Sequence, residues 1–211
     1  GVAAWAAITG RQASGVGPMV LLFLGLVIFL GTHSLRAYAP DFRGQMVRAL
    51  GDGPFRALYS LVALVGLVLI VIGYDAARPG VWVLYYSPMW LKGIAGFLMI
   101  FAFASLAVSL LPAGRLKPML RHPMLLAVKI WAFAHILANG DLASLLLFLA
   151  FLGWAVADRI SFRRREAAGK VKPVAPGPMS NDVIAIAISL VVYVLFVWKL
   201  HYWLIGVQPM T

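Results

Sequence analysis

Four histidines are the side chains in this 211-residue chain best suited to binding a metal: His33, His122, His135 and His201. A neutral imidazole nitrogen is a common metal ligand, and it also exchanges protons near neutral pH. The chain has no cysteine, which excludes thiolate zinc sites and iron–sulfur clusters. It has neither an HExxH motif nor a histidine–carboxylate cluster, so a hydrolytic zinc site is not expected.

Two of the histidines share one apolar run, RHPMLLAVKIWAFAHILANGD, at residues 121–141. His122 and His135 are 13 positions apart, which separates them by roughly 20 Å along a helix and about 140° around it. They cannot bind one metal ion unless that helix is broken. Lys129 lies between them and, inside a membrane, needs a counter-charge, a carboxylate group of a cofactor or a water-filled cavity. Asn139, four residues after His135, is expected either to orient that imidazole or to cap the helix.

The elements that carry these residues are predicted to be membrane-spanning helices. The chain is 63% hydrophobic and 12% charged, whereas soluble domains are nearer half apolar. A span needs roughly 20 apolar residues, and the runs of that length are 17–37, 56–75, 88–111, 120–139, 141–158 and 182–205. We therefore predict an all-α fold, a polytopic membrane helix bundle of about six transmembrane helices. The sequence NGD at 139–141 is expected to form a tight turn, with Gly140 permitting the reversal.

Basic residues predict the orientation of the bundle. They concentrate in the loops after the first, third and fifth runs, whereas the opposite side has only Arg11, Arg78 and Lys92. The positive-inside rule then makes those three loops cytoplasmic and puts both termini on the outer side. Aromatic residues near the predicted outer boundary are typical of an interfacial belt: Trp82, Tyr85, Tyr86, Trp90, Trp198, Tyr202 and Trp203. The net charge of +11 is thus a topology signal, and the expected partner is the lipid bilayer rather than nucleic acid.

The domain organisation follows from the same runs and from the prolines between them. We predict an N-terminal segment at 1–18, a five-helix membrane domain at 19–165, a basic and proline-rich linker at 166–181, and a C-terminal transmembrane helix at 182–211.

This topology places the histidines at two levels. His33 and His122 lie near the predicted cytoplasmic face, and His135 and His201 lie toward the outer face. Either pair could approach one iron from opposite sides, as two imidazoles do for a b-type haem between helices. Arg36 and Arg121 would suit the propionates of an inner haem. Glycines on two helices would give close helix approach or room for a flat macrocycle: Gly25, Gly31, Gly93 and Gly96.

Three ordered segments carry a resemblance to a known family. They are FLGTHSLRAYAPDFR (29–43), LYSLVALVGLVLIVIGYDAAR (58–78) and the long stretch from LRHPM to RISFRRR (120–165). These segments resemble the NnrU family, and KLHYWLIGVQP (199–209) is similar to the C-terminal helix of its bacterial members. The family is named after a bacterial nitrite and nitric oxide reductase regulon and is associated with denitrification. A related branch, the 15-cis-zeta-carotene isomerase of plants and cyanobacteria, is a membrane enzyme that uses haem b.

The resemblance implies a cofactor, a ligand pair and a location. The cofactor is haem b, and its ligands match His33 and His135 of this chain. The location is the bacterial inner membrane, with other membrane or denitrification proteins as partners. Because our topology separates His33 from His135, three alternatives remain open: the first helix enters the membrane more deeply, the fourth helix is broken, or His122 or His201 is the partner.

Departures from the isomerase branch favour the bacterial one. THSLRAYAP stands where that branch has HSG and small residues, AHILANGD stands where it has an AH–WIGN pattern, and Phe133 replaces a cysteine. Three functions remain open: a haem protein supporting nitrite or nitric oxide metabolism, a haem-dependent polyene isomerase, and a non-catalytic membrane subunit or assembly factor. The sequence leaves open whether the protein is an enzyme.

Overall fold

The computed structural model describes residues 16–209, and its regular structure is almost entirely helical. The helices are α1 (Val16–Tyr38), α2 (Pro40–Leu50), α3 (Asp52–Ala77), α4 (Met89–Leu110), α5 (Leu116–Leu120), α6 (Pro123–Ala138), α7 (Leu142–Ala167), α8 (Met179–Leu195) and α9 (His201–Ile205). A 3₁₀ turn at Arg78–Gly80 follows α3, and a π-helix at Phe196–Leu200 joins α8 to α9. Arg11 and both chain ends lie outside the described residues. The prediction that both termini are on the outer side therefore also concerns residues that are not described.

Within the described residues, five helical stretches are long and apolar enough to cross a membrane: Val16–Tyr38, Asp52–Gly80, Met89–Leu110, Leu142–Ala167 and Met179–Ile205. The remaining predicted span is α6, an apolar helix of 16 residues. Its length is about 24 Å, less than the roughly 30 Å of a bilayer core. The predicted all-α polytopic bundle is confirmed, with its fourth apolar run as a short member.

Several boundaries differ from the sequence-based prediction. Residues 40–50, predicted as a loop, form α2, because Pro40 suits the first helical turn and Asp41 complements its dipole. The basic SFRRR run at 161–165 continues α7 to Ala167 instead of following it. Cations in a last helical turn are favourable, because the carbonyl end of the helix dipole is negative. The irregular linker is therefore shorter than predicted, and α8 begins at Met179 directly after Pro178.

The outer faces of the long helices are apolar and exposed, as lipid contact requires. Phe23, Leu64 and Val191 are each more than half exposed. Most of the aromatic residues predicted to form the interfacial belt are also exposed: Trp82, Tyr86, Trp90, Trp198, Tyr202 and Trp203. Tyr85 is the half-buried member of that set.

The chain folds into two compact units, and α7 contributes to both. Unit 1 consists of residues 16–85 and 140–150 among those described, and unit 2 consists of residues 86–139 and 151–209. His33 belongs to unit 1, whereas His122, His135 and His201 belong to unit 2.

In unit 1, α1 and α3 pack backbone against backbone through glycines. A Cβ atom on Gly25 would lie 2.6 Å from the Ile70 nitrogen, and one on Gly66 would lie 2.7 Å from the Phe29 nitrogen. Such distances are too short for any side chain, so the contact depends on glycine, as in other small-residue helix interfaces. The predicted close approach at Gly25 is confirmed. At Gly31 a Cβ would meet no atom within 4 Å, so close helix approach does not occur there, and room for a macrocycle stays a prediction.

A short connection completes unit 1 beside the start of α7. The Gly140 carbonyl accepts a hydrogen bond from the Leu84 amide at 2.8 Å, and the Trp82 carbonyl accepts one from Leu142 at 3.0 Å. A Cβ on Gly140 would collide with the Tyr85 carbonyl oxygen. The backbone of Gly140 is not in the left-handed region, so this position requires glycine because of crowding and not because of the reversal we predicted.

In unit 2, α4 packs against both α6 and α8. The Tyr193 hydroxyl on α8 donates to the Gly96 carbonyl on α4 at 2.9 Å, and its ring meets Phe103 at 5.8 Å between centroids. A Cβ on Gly93 would meet no atom within 4 Å, so that glycine is not required for helix contact.

The start of α8 is held by polar contacts to the loop before α5. Asp182 is 8% exposed, and its carboxylate accepts hydrogen bonds from the amides of Arg115 at 2.7 Å and Leu116 at 3.2 Å. The Asn181 side chain donates to the Ala113 carbonyl at 2.9 Å, and the Gly177 amide donates to Gly114 at 3.1 Å. The C-terminal helix is thus bonded to the loop that follows α4.

Candidate functional site

His33 lies on α1 within unit 1, between two aromatic rings. Its Nδ1 donates to the Phe29 carbonyl one turn earlier at 2.7 Å. The imidazole lies 4.3 Å from the Phe29 ring and 5.7 Å from the Tyr59 ring, between centroids. Arg36, predicted to serve a propionate, is exposed at the end of the same helix.

His122 precedes α6 and belongs to a basic cluster with the end of α7. Its ring meets the Phe162 ring edge-on at 4.5 Å, and its Nδ1 is buried with no hydrogen-bond partner among the described residues. Burial lowers the pKa of His122 below 6.5, and the positive charges of Arg159 and Arg165 lower it further against the opposing effect of Asp158. The ring is therefore neutral near pH 7.

Lys129 lies in the middle of α6 and is half-buried. Among the described residues, no hydrogen-bond acceptor or carboxylate contacts its ammonium group. The counter-charge that we expected for a membrane lysine is thus not supplied by this part of the chain.

His135 lies in the last turn of α6, where the backbone fixes its ring. Its Nδ1 donates to the Trp131 carbonyl at 2.8 Å, and the two rings are 5.4 Å apart. Asn139 donates from both its backbone and its side-chain nitrogen to the His135 carbonyl, each at 2.9 Å. Those two bonds are the helix-capping role predicted for Asn139.

His201 begins α9 immediately after the π-helix, and a turn at the helix end holds its ring. Gly206 has φ +78° and so reverses the chain after α9. The reversal brings the Val207 carbonyl 2.7 Å from His201 Nδ1, which donates to it. The Phe196 ring packs 5.7 Å from the imidazole, and π-helical segments of this kind are frequent at functional sites.

Within unit 2, the fold brings His135 and His201 into one region. The two rings are close enough for a charge on His201 to act on His135. His122 lies apart from this pair, because the unbroken helix α6 separates it from His135. Among the described residues, no group of three or more histidine, aspartate or glutamate side chains could enclose a metal ion.

Several residues in these regions were missed by sequence reasoning. Phe162 drew no prediction, and the arginines around it served only as topology markers, because their contact with His122 joins segments some 40 positions apart. Asp182 also drew no prediction, although an acidic residue at the start of a predicted membrane span was a usable signal. Trp131 and Phe196 drew no site prediction, and each flanks a histidine.

Comparison with known proteins agrees with the resemblance drawn from the motifs. Residues 21–209 match the family model described as NnrU protein. No curated protein and no solved structure matches the chain significantly. The match covers nearly the whole chain, including the His201 helix and its closing turn. The chain therefore belongs to the NnrU family.

Proposed function

We propose that this chain is an integral membrane haem-b protein of nitrite or nitric oxide metabolism, in which His135 and His201 would hold the haem. One observation carries the proposal. His135 and His201 lie near enough in unit 2 for a charge on one ring to act on the other, and the Nδ1 of each is held by a backbone carbonyl. That bond selects the neutral tautomer in which Nε2 carries the lone pair, which is the usual arrangement behind a metal-bound histidine.

The surroundings of the two rings suit a flat, apolar macrocycle. The indole of Trp131 lies beside His135 and the ring of Phe196 lies beside His201. The Phe196 ring in turn packs on Phe103 at 5.5 Å. These side chains would exclude water from the iron, while the two carbonyl bonds would keep both imidazoles oriented. Bound haem b supplies a one-electron redox centre, and the metabolic assignment follows from family membership.

The test is the absorption spectrum of the purified full-length protein, oxidised and then reduced, after expression with added haem. We expect a Soret band and the spectrum of a low-spin b-type haem. His135→Ala and His201→Ala should each lose the low-spin spectrum. His122→Ala is the matched control, since it removes a histidine at the other end of α6 and should leave the spectrum intact. Imidazole added to His135→Gly or His201→Gly should restore it.

Two results would contradict the proposal in different ways. If the wild-type protein shows no Soret band even after haem supplementation, the haem-binding proposal is contradicted. That result would favour a non-catalytic subunit or assembly factor. Loss of the spectrum in His33→Ala with full retention in His201→Ala would favour the His33–His135 pair that the family resemblance implies. Size-exclusion profiles show whether each variant is still folded.

A second function, polyene isomerisation, has a separate observation in its favour. Unit 2 contains an apolar cavity of about 310 Å³ between α4, α6 and α8, with Leu98, Ile130 and Ile186 among its lining residues. Its size falls within the range of small-molecule sites, and its lining suits a hydrocarbon chain. Expression in cells that accumulate tri-cis-zeta-carotene tests this function. The absence of di-cis product in the dark would contradict it.

A further inference from the structure

Three buried side-chain nitrogens in unit 2 have no hydrogen-bond partner among the described residues: His122 Nδ1, Arg159 Nη1 and Arg165 Nε. Buried polar groups are nearly always bonded, because leaving one unpaired forfeits its hydration without replacement. A guanidinium cannot relieve this cost by losing its proton. The two guanidinium nitrogens therefore lack an acceptor, and His122 Nδ1 can donate to the same acceptor in its Nδ1–H tautomer.

The three groups surround a single aromatic ring. The imidazole of His122 lies 4.5 Å from the Phe162 centroid, and the guanidinium carbons of Arg159 and Arg165 lie over that ring at 5.6 and 5.8 Å. Both distances fall within the roughly 6 Å range of a cation–π contact with Phe162. The first turn of α6, directly after His122, adds the positive end of a helix dipole.

The local carboxylates do not supply the missing acceptor. Asp158 lies 3.7 Å from Arg165, at its Nη2 rather than at the unpaired Nε. Glu166 lies 3.6 Å from Arg121, and both of those side chains are at least one-third exposed. Since charge-assisted hydrogen bonds are typically about 2.7–2.9 Å, both pairs are loose. Among the described residues, no carboxylate lies within salt-bridge distance of Arg159.

We propose that His122, Arg159 and Arg165 form a binding site for a phosphoryl oxyanion. The guanidinium fork matches phosphate oxygens, and an imidazole N–H can donate to a third oxygen. The site lies at the basic end of α7, a segment that the positive-inside rule assigns to the cytoplasm. Anionic lipid headgroups are concentrated at that surface, and free phosphate has the same chemistry.

The experiment uses the full-length protein, purified in detergent and stripped of lipid. Native mass spectrometry counts bound phosphatidylglycerol and phosphatidylcholine, and thermal unfolding is followed with inorganic phosphate or with chloride at equal ionic strength. The variant Arg159→Gln/Arg165→Gln removes the proposed ligands. Its matched control is Arg163→Gln/Arg164→Gln, which removes the same charge from exposed positions on the same helix.

We expect the Arg159/Arg165 variant to weaken phosphatidylglycerol binding at least about tenfold and the control to weaken it less than about twofold. Stabilisation of the wild type by phosphate alone, lost in the same variant, would support the site with free phosphate as its occupant. Equal losses in the two double variants, or no binding of either anion by the wild type, would overturn the proposal. If the double variant does not fold, the single variants Arg159→Gln and Arg165→Gln give the same comparison.

Discussion

Replacing Asp182 with alanine tests whether the C-terminal helix is bonded to the rest of unit 2 as the structure describes. The carboxylate accepts hydrogen bonds from two successive backbone amides, those of Arg115 and Leu116. Alanine leaves both amides without an acceptor at a position where the aspartate is 8% exposed. Asparagine keeps one carbonyl oxygen and can satisfy one of the two donors.

The magnitude follows from those two bonds. A hydrogen bond to a charged group contributes about 1.5–3 kcal/mol when it is buried. The freed amides lie in a loop that water can reach after a small movement, so we take the lower part of that range and expect a loss of about 2–4 kcal/mol. Asp182→Asn should lose about half as much. In a chain of this length, the alanine variant should unfold about 5–15 °C below the wild type.

Thermal unfolding in detergent measures the overall loss, and hydrogen exchange locates it. Exchange in a peptide spanning residues 113–117 should accelerate about 30-fold or more in Asp182→Ala. The matched control is Asp41→Ala, which removes an exposed carboxylate from the first turn of α2 and should cost less than about 1 kcal/mol. Unchanged exchange in 113–117, or equal destabilisation by the two alanine variants, would refute the assignment of these hydrogen bonds as the attachment of α8.

Three further predictions concern the packing of unit 1 and the protonation of unit 2. Gly25→Ala should destabilise the protein by several kcal/mol, because the new Cβ would collide with the backbone of α3. The control Gly31→Ala should be neutral or slightly stabilising. Comparable melting temperatures for the two variants would contradict the glycine contact. The buried Ser144 hydroxyl donates to Asp141 at 2.6 Å and lies 2.9 Å from the Tyr74 hydroxyl. Ser144→Ala should therefore lower the free energy of unfolding, measured by chemical denaturation, by about 1–3 kcal/mol. An unchanged free energy would show that water replaces the hydroxyl. Because the pKa of His122 is lowered in the folded state, the unfolded chain binds its proton more readily, so stability should be full above about pH 7 and fall as the pH drops below 6.5. In phosphate-free, lipid-free buffer His122→Gln should flatten that dependence, and an unchanged pH profile would show that this imidazole does not titrate on unfolding.

Sequence reasoning was most successful for features that depend on neighbouring residues. The apolar runs located the membrane helices, since the length of a span depends on local hydropathy. The motifs from Phe29 to Arg165 identified the family that the comparison confirms. The short length of α6 was missed, because the apolar run 120–139 was predicted as a full span, although Pro123 and Asn139 mark the ends of the helix. The predicted helix ends were less accurate, as at the basic end of α7. Helix α2 was missed because its short polar sequence resembles a loop.

What the sequence determined by itself is therefore a set of apolar helices, their order along the chain and their family. The tertiary structure alone decided which residues meet. It brought His135 and His201 into one region and placed two arginines over the Phe162 ring beside His122. It also bonded Asp182 to the amide of a residue 66 positions earlier in the chain. The physical reason is that lipid-facing and helix-facing side chains are equally apolar, so hydropathy does not record which face of a helix another helix covers. Contacts of that kind depend on the shape of the packed surfaces, such as the glycine groove between α1 and α3, and they form only when the helices associate.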